Sequence, residues 1–230
     1  YLMAVPTPAF TSDDITDSGT WTEGGSAFSN AVDGNCGTDT AIDFDGVDDF
    51  VERTGGAVVT TETEMSVSCW FKRAAVSAQE NLLSQYVGSG QRQFIFRLES
   101  NGRVNLLLRD GDNTSTYGES TVAEFDDDVW HHVIATGKTG DVINIYIDGE
   151  AETTTTSGSG FTGFGTTGAK PRIGMRGDGG NKFGGIIDSP RIWTVELTAE
   201  EAAEEYANAQ NCGVVATGNT FYDHSLPVIF

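Results

Sequence analysis

The chain has 230 residues, of which 34 are Asp or Glu and 13 are Lys or Arg, so its formal net charge is −21. Phosphate backbones are bound by clustered Lys and Arg, and no such cluster is present, which excludes nucleic acid as a partner. No stretch approaches the roughly 18 apolar residues of a membrane span, so membrane insertion is not expected. A chain of this length buries a large core without metal or disulfide staples.

Short runs of Thr, Val, Ile and Phe between Gly, Asp and Asn predict many short strands and an all-β protein. Residues 1–39 show weak periodicity and are expected to form an N-terminal arm or edge strand, ahead of a body at 40–210 and a C-terminal tail at 211–230. The predicted strands of the body are 40–46, 65–72, 93–98, 104–109, 130–136, 142–147, 172–175 and 184–193.

Two turn signals predict hairpins in this body. Asn101-Gly102 lies between apolar runs, and Asp148-Gly149 follows another. Such pairs are typical of two-residue turns in which both central residues have positive φ. Two hairpins place four strands antiparallel, which favours a sandwich over a parallel α/β fold.

One helix is predicted near the end of the body, at residues 198–209 (TAEEAAEEYANA). Thr198 is the expected N-cap, and Glu201 follows three residues later, as in a capping box.

Five segments of the body follow one another in a familiar order. They are 42–51 (IDFDGVDDFV), 65–72 (MSVSCWFK), 129–133 (VWHHV), 145–149 (IYIDG) and 183–193 (FGGIIDSPRIW). In order and spacing they resemble the laminin G-like jelly rolls of the concanavalin A-like lectin and glucanase family. The resemblance implies an antiparallel two-sheet β-sandwich, with one short C-terminal helix closing an edge.

The large aromatic and imidazole side chains are expected to be structural. Trp70, Trp130 and Trp193 lie in apolar strand patterns, so they are predicted to be core residues and not sugar platforms. His131 and His132 are adjacent on a predicted strand and point to opposite faces, so they are not expected to chelate one ion.

Acidic residues gather at the first strand of the body, at Asp43, Asp45, Asp48 and Asp49. A Gly-containing turn lets carboxylates and carbonyls converge on one ion, as calcium prefers. By position, the family resemblance implies a structural calcium held by Asp45, the carbonyl of Gly46, Asp48 and, from the last strand, Asp188. The alternative is that these acids only cap turns and accept backbone N–H bonds.

Cys36 and Cys212 flank the body, where terminal strands of a sandwich often meet, and are a candidate disulfide whose pairing the sequence does not fix. Cys69 lies inside a strand pattern and is expected to behave as a small buried hydrophobe. The cysteines lack CxxC spacing and neighbouring histidines, so zinc is not expected.

A bound glycan needs an aromatic face for its C–H groups and polar side chains for its hydroxyls. The loop residues of suitable chemistry are Tyr86, Arg92, Arg109, Asn113, Tyr117 and Asn181.

Catalysis is not expected, because no strand carries the alternating carboxylates that glucanases of this family use, and no GxSxG motif occurs. The resemblance implies a lectin-like module for carbohydrate binding and adhesion, extracellular or on a virion or cell surface. The alternative is a structural or decoration subunit of a virion, filament or surface layer. Its apolar terminal segments, 1–6, 220–222 and 226–230, would then pair with copies of itself or other structural chains.

Overall fold

The computed structural model describes residues 5–11, 21–27, 31–35, 40–75, 78–88, 92–110, 115–120, 125, 127–140, 142–158, 160–210, 214–217 and 220–223. The strands are, in chain order, β1 (Phe10–Thr11), β2 (Trp21–Gly24), β3 (Ala31–Asp33), β4 (Thr40–Asp45), β5 (Phe50–Arg53), β6 (Glu64–Lys72), β7 (Glu80–Tyr86), β8 (Arg92–Leu98), β9 (Val104–Arg109), β10 (Ser115–Ser120), β11 (His131–Lys138), β12 (Asn144–Ile147), β13 (Glu150–Ala151), β14 (Thr154–Ser157), β15 (Pro171–Ile173), β16 (Gly184–Trp193), β17 (Val214–Thr217) and β18 (Thr220–Asp223). Helix α1 (Ala199–Gln210) lies between β16 and β17.

Two eight-stranded antiparallel sheets form the sandwich. Sheet A has the order β13-β12-β11-β6-β16-β4-β3, with β1 also paired to β16, and sheet B has the order β14-β10-β9-β8-β7-β15-β5-β2. Strands β17 and β18 form a separate two-stranded sheet. The antiparallel two-sheet β-sandwich expected from the sequence is therefore confirmed.

The core lies between the two sheets and is rich in phenylalanine. Phe71 and Phe183 meet edge to face with ring centroids 6.4 Å apart, and Phe44 contacts Phe183 at the same centroid distance. From sheet B, alternate residues such as Phe96 and Leu106 point into this core and are fully buried. Because side chains alternate along a strand, the residues between them lie on the outer face of sheet B.

Helix α1 covers the outer face of sheet A. Ile134, Tyr146, Trp193, Leu197 and Ala202 form a second apolar cluster there. The predicted capping box is present, because the amide of Glu201 donates to Thr198 Oγ1 at 3.2 Å and the amide of Thr198 donates to Glu201 Oε2 at 2.8 Å. An ion pair between Arg191 of β16 and Glu205 also joins the helix to the sheet.

The two predicted hairpins differ in their turns. At the second, Asp148 and Gly149 have φ of 51° and 83°, as expected for a two-residue turn. At the first, only Gly102 has positive φ, at 82°. The amide of Gly102 donates to the carbonyl of Glu99, and Asn101 accepts the amide of Arg103, so the turn is wider than predicted.

The segments outside the predicted body join the sheets in part. Strands β1, β2 and β3 come from residues 1–39 and pair with β16, β5 and β4. Cys69 is a buried free thiol, and burial raises its pKa well above the ordinary value. Cys36 and Cys212, the candidate disulfide, lie outside the described residues.

Candidate functional site

The outer face of sheet B carries a row of polar side chains across four adjacent strands. Asn81 of β7 pairs with Arg97 of β8, Arg97 with Asn105 of β9, and Asn105 with Glu119 of β10. Ser84, one row further along, pairs with Ile95, which in turn pairs with Leu107. We call the set Asn81, Ser84, Arg97, Asn105 and Glu119 the polar face. It places amides, a guanidinium and a carboxylate beside a short apolar stripe.

Several groups of the polar face are buried without hydrogen bonds. Asn81 is 0% exposed and Asn105 is 1% exposed. Within the part of the chain that the structure describes, the amide N and O of Asn81, the hydroxyl of Ser84 and the amide O of Asn105 have no hydrogen-bond partner. An unsatisfied buried polar group costs about 1–3 kcal/mol, and native folds contain few of them. Three residues with such groups lie close together on the outer face of sheet B.

The charges of the polar face are fixed by ion pairs along the sheet. Arg97 contacts Glu99 at 2.7 Å, and Glu119 accepts from Arg103 at 3.3 Å and from Asn101 at 2.9 Å. These pairs hold long side chains in defined positions while leaving the face close to neutral. A neutral, hydrogen-bonding surface on a strongly acidic protein suits a ligand rich in hydroxyl groups.

The sequence-predicted ligand residues fall into two places. Tyr86 pairs with Arg92 at the β7–β8 hairpin, and Arg109 and Tyr117 lie on β9 and β10 at the same end of sheet B. The side chains of Arg92 and Tyr117 and the whole of Asn113 lie outside the described residues.

Tyr86 and Asn181 lie near opposite ends of strand β7. Tyr86 does not offer an open ring, because it is 5% exposed and the guanidinium of Arg176 lies 5.1 Å from its centroid. Asn181 lies at the opposite end of β7, where its carbonyl accepts the amide of Asn81 at 2.8 Å.

Asn181 borders an open depression of about 650 Å³ at the rim of the sandwich. We call this the rim depression. Its lining includes Asp45, Gly46, Gln79, Glu80, Asn181 and Lys182. Behind it, Glu80 pairs with buried Arg73 at 2.6 Å, and burial raises the pKa of the Glu80 carboxyl while Arg73 opposes that shift. The Asn81–Asn181 hydrogen bond joins the rim depression to the polar face.

Three carboxylates converge beside the rim depression. Asp45, Asp48 and Asp49 each offer a ligand atom within 4.8 Å of the others. Asp45 Oδ1 accepts the amides of Val47 at 2.7 Å and Asp48 at 3.2 Å, and these hydrogen bonds, that of Val47 above all, lower the pKa of Asp45. Asp49, which is buried, accepts the amides of Ser26 and Asp45.

This cluster differs from the predicted calcium set in one member. Asp45 pairs with Gly184, so Asp188 lies four residues further along β16, about 13 Å away at a rise of about 3.3 Å per residue. Asp188 instead accepts the amide of Asn35 at 2.7 Å and so holds the N-terminal segment against β16. The structure does not bring Asp188 to the cluster, and Asp49 stands in its place.

The remaining donor set fits calcium in part. Calcium takes 6 to 8 oxygen ligands at about 2.3–2.6 Å, and three carboxylates with the neighbouring carbonyls of the turn supply that chemistry. The same carboxylates already accept four backbone N–H bonds, so the turn is also held without an ion.

A second depression, of about 450 Å³, lies between sheet A and helix α1. We call it the aromatic depression; its lining is Asn35, Trp70, Val129, Trp130, His131, Asp148, Tyr206 and Gln210. Trp70 and Trp193 are buried, as predicted, but Trp130 is only partly buried and borders this depression. Trp130 precedes β11, which begins at His131, so the core position predicted for it is wrong.

His131 and His132 lie on opposite sides of β11, as predicted. His131 Nδ1 contacts Asp148 Oδ2 at 2.8 Å, and this hydrogen bond raises the pKa of His131. His132 is stacked beside Trp70 and Tyr206 with centroid distances of 5.0 Å and 5.7 Å. Burial lowers the pKa of His132 to about 3.

Among the described residues, no helix is both long and apolar enough to cross a membrane.

The two antiparallel sheets form a jelly-roll sandwich. The chain belongs to the concanavalin A-like lectin/glucanases superfamily, since the Laminin_G_3 family model matches residues 45–203. No curated protein sequence matches the chain significantly.

Solved structures share this fold at low sequence identity. The binding domain of Paraclostridial Mosquitocidal Protein 1 has a TM-score of 0.64 and 12% identity over 86% of this chain and 50% of that chain. The native heptameric SAP-like pentraxin from Limulus polyphemus has a TM-score of 0.57 and 16% identity, over 80% of this chain and 95% of the pentraxin chain. The Ruminococcus gnavus IT-sialidase CBM40, bound to α2,3 sialyllactose, has a TM-score of 0.50 and 19% identity, over 64% of this chain and 84% of the CBM40 chain. The chain spans half the length of the mosquitocidal binding domain.

Proposed function

We propose that this protein is a non-catalytic carbohydrate-binding module that recognises a glycan with the polar face. The observation that carries the proposal is the row of polar side chains on sheet B, in which Arg97 and Glu119 are partly exposed and Asn81, Ser84 and Asn105 are buried without hydrogen-bond partners. Arg97 and Glu119 offer polar groups to the hydroxyls of a sugar, and the amides of Asn81 and Asn105 would pair with it once side-chain movement uncovers them. Leu107, which is partly exposed, provides apolar surface for C–H groups.

Two further observations support a carbohydrate ligand. The chain belongs to a superfamily of lectin-like and glucanase-like sandwiches, and the similar CBM40 structure contains a bound sialyllactose. The rim depression continues from the polar face at Asn181 and adds amide and charged groups along one path. A glycan of several residues is therefore the ligand that this surface accommodates best.

Binding without hydrolysis is favoured by the arrangement of carboxylates on this face. Glycosidases need two carboxyl groups about 5–10 Å apart. Of the described residues, Glu99, Glu119 and Glu52 carry carboxylates on the outer face of sheet B. Each is engaged by an arginine, namely Arg97, Arg103 and Arg172, which favours a structural over a catalytic use of these carboxylates.

A structural calcium at Asp45, Asp48 and Asp49 is part of the proposal. Three carboxylates within 4.8 Å of one another repel, and a divalent cation would offset that repulsion. The ion would fix the turn after β4 against Ser26 of the N-terminal segment. Such a module would act outside the cell or on a virion or cell surface, where glycans and calcium are both available.

A glycan array tests the proposed function. The full chain is applied with calcium and with a chelator, beside two double variants. Asn81→Ala with Asn105→Ala removes the polar face amides. Ser68→Ala with Thr136→Val removes hydroxyls that are equally buried and unpartnered but lie on sheet A. The proposal expects a hit that the first variant loses and the second keeps. No hit in any condition would contradict it and favour a structural subunit.

A further inference from the structure

We propose that the aromatic depression is a second sugar-binding site, which takes one neutral pyranose ring with its C–H face on the indole of Trp130. The site lies beside helix α1 on sheet A, whereas the polar face lies on sheet B. This second proposal depends on the proposed function only for the class of its ligand, a carbohydrate.

The apolar surface left open here is the first support. Val129 is 53% exposed, and Trp130 next to it is only partly buried. Most of the large aromatic side chains that the structure describes are buried in the core or under the helix, and sugar C–H groups pack on aromatic faces. A partly exposed indole beside an exposed Val forms a small apolar patch at the mouth of a depression, which is where binding sites occur.

The other aromatic rings at this depression are packed against one another. Trp70, His132 and Tyr206 form a stack, with Trp70 and Tyr206 ring centroids 5.7 Å apart. A Cβ at Gly149 would lie 2.5 Å from Tyr206 Cδ1, so only glycine lets the Tyr206 ring approach the turn. Rings packed in this way lose little conformational freedom when a ligand binds.

Polar groups complete the site. Asp148 adopts positive φ, and its two carboxylate oxygens accept the His132 amide at 2.8 Å and face His131 Nδ1 at 2.8 Å. This fixes both the carboxylate and the imidazole at the edge of the depression. Asn35 and Gln210 add amide groups to the lining.

The charges select the kind of sugar. Asp148 and Asp127 both flank His131, at 2.8 Å and 3.4 Å, so carboxylates outnumber the one imidazole. Repulsion disfavours a sialic or uronic acid here, which is the reason for assigning a neutral ring. A volume of about 450 Å³ is within the range of small-ligand sites.

NMR of the tryptophan indole N–H groups in the full chain tests the site. The chain has four tryptophans, and Trp130→Phe assigns the signal of Trp130. The neutral probes are methyl β-D-glucopyranoside, methyl β-D-galactopyranoside and N-acetyl-D-glucosamine, and N-acetylneuraminic acid is the acidic probe. We expect one neutral probe to shift the Trp130 signal with a Kd on the order of millimolar, and the acidic probe to leave it unchanged.

Variants separate this site from the polar face. Tyr206→Leu should weaken the probe at least about fivefold, while Val142→Ala, a change at an exposed apolar residue elsewhere, should not. The shift should persist in the Asn81→Ala, Asn105→Ala variant, so the two proposals fail separately. Absence of a Trp130 shift with every neutral probe overturns the second site. The second site is also overturned if a neutral probe shifts the Trp130 signal with the same Kd in Tyr206→Leu as in the parent chain.

Discussion

Asn105 shows how a binding role and a stability role make opposite predictions for one residue. Its amide oxygen is buried without a partner, so Asn105→Leu should leave the free energy of unfolding unchanged or raise it by about 1 kcal/mol. The same change should weaken glycan binding about three- to tenfold, because a hydrogen bond is lost. Urea denaturation and a binding isotherm measure the two effects. Destabilisation with full binding would identify Asn105 as structural.

His132 should make the fold sensitive to mild acid. Its pKa is about 3 in the folded protein and about 6.5 in the unfolded chain, so the unfolded chain binds more protons between these values. Stability is therefore complete above pH 6.5 and falls as the pH falls, by about 1.4 kcal/mol per unit at most.

His132→Phe keeps a ring between Trp70 and Tyr206 and should flatten that dependence. His131 has the opposite sign: its raised pKa gives stability that is present below pH 6.5 and lost as the pH rises through the folded value. The difference between the parent chain and His132→Phe in how the urea midpoint changes from pH 6.5 to pH 5 isolates His132, because His131 is present in both. An equal slope in His132→Phe would contradict the account.

Single residues were the hardest feature to predict from the sequence. Trp130 lies in an apolar pattern, but β11 begins one residue later, so the indole borders a surface depression and not the core. Strand boundaries are set by pairing with neighbours, which periodicity does not specify. Asp188 was assigned by family position, yet its register on β16 places it opposite Trp70 of β6, away from Asp45.

At the scale of elements, strand β7 explains why the polar face was not predicted. Its residues, ENLLSQY, are all buried, so apolar and polar positions do not alternate along it. Alternation of apolar and polar residues identifies strands with one solvent-exposed face, and it does not identify strands that are buried on both faces. Strand β12, before the Asp148-Gly149 turn, and helix α1 had clear patterns and were predicted, because their signals are local.

The capping box gives a direct test of helix α1. Thr198→Ala removes the hydroxyl that accepts the Glu201 amide, and should lower the free energy of unfolding by about 1 kcal/mol. Glu201→Gln keeps the reciprocal bond and serves as the matched control, with a smaller loss. Chemical denaturation of both variants measures the difference. Equal losses would mean that the charge of Glu201 matters more than the cap.

At the scale of the whole molecule, calcium should affect stability more than recognition. Adding calcium should raise the Tm of the chain, and a chelator should reverse the rise, since the ion would tie the turn after β4 to Ser26. Asp48→Asn should abolish the calcium-dependent part. Asp178→Asn, at a carboxylate paired with Arg176, is the control that should respond to calcium as the parent chain does. A Tm indifferent to calcium would remove the ion from the account.

The architecture combines two sheets with different outer surfaces. Sheet A is covered by helix α1 through the cluster around Trp193, whereas sheet B carries buried amides without hydrogen-bond partners beside the partly exposed Arg97 and Glu119. Burial of the core determines the sandwich, and it does so from residues that alternate in the sequence. The proposed binding surface arises only when β7, β8, β9 and β10 are brought side by side, so no segment of sequence contains it.

The central claim is that the polar face binds glycan, and a single comparison of affinities tests it. The best glycan from the array is titrated into the parent chain, into Asn81→Ala with Asn105→Ala, and into Ser68→Ala with Thr136→Val. The account predicts at least about tenfold weaker binding in the first double variant and unchanged binding in the second. Unchanged binding in the first, with its fold intact by circular dichroism, would contradict the assignment of the polar face.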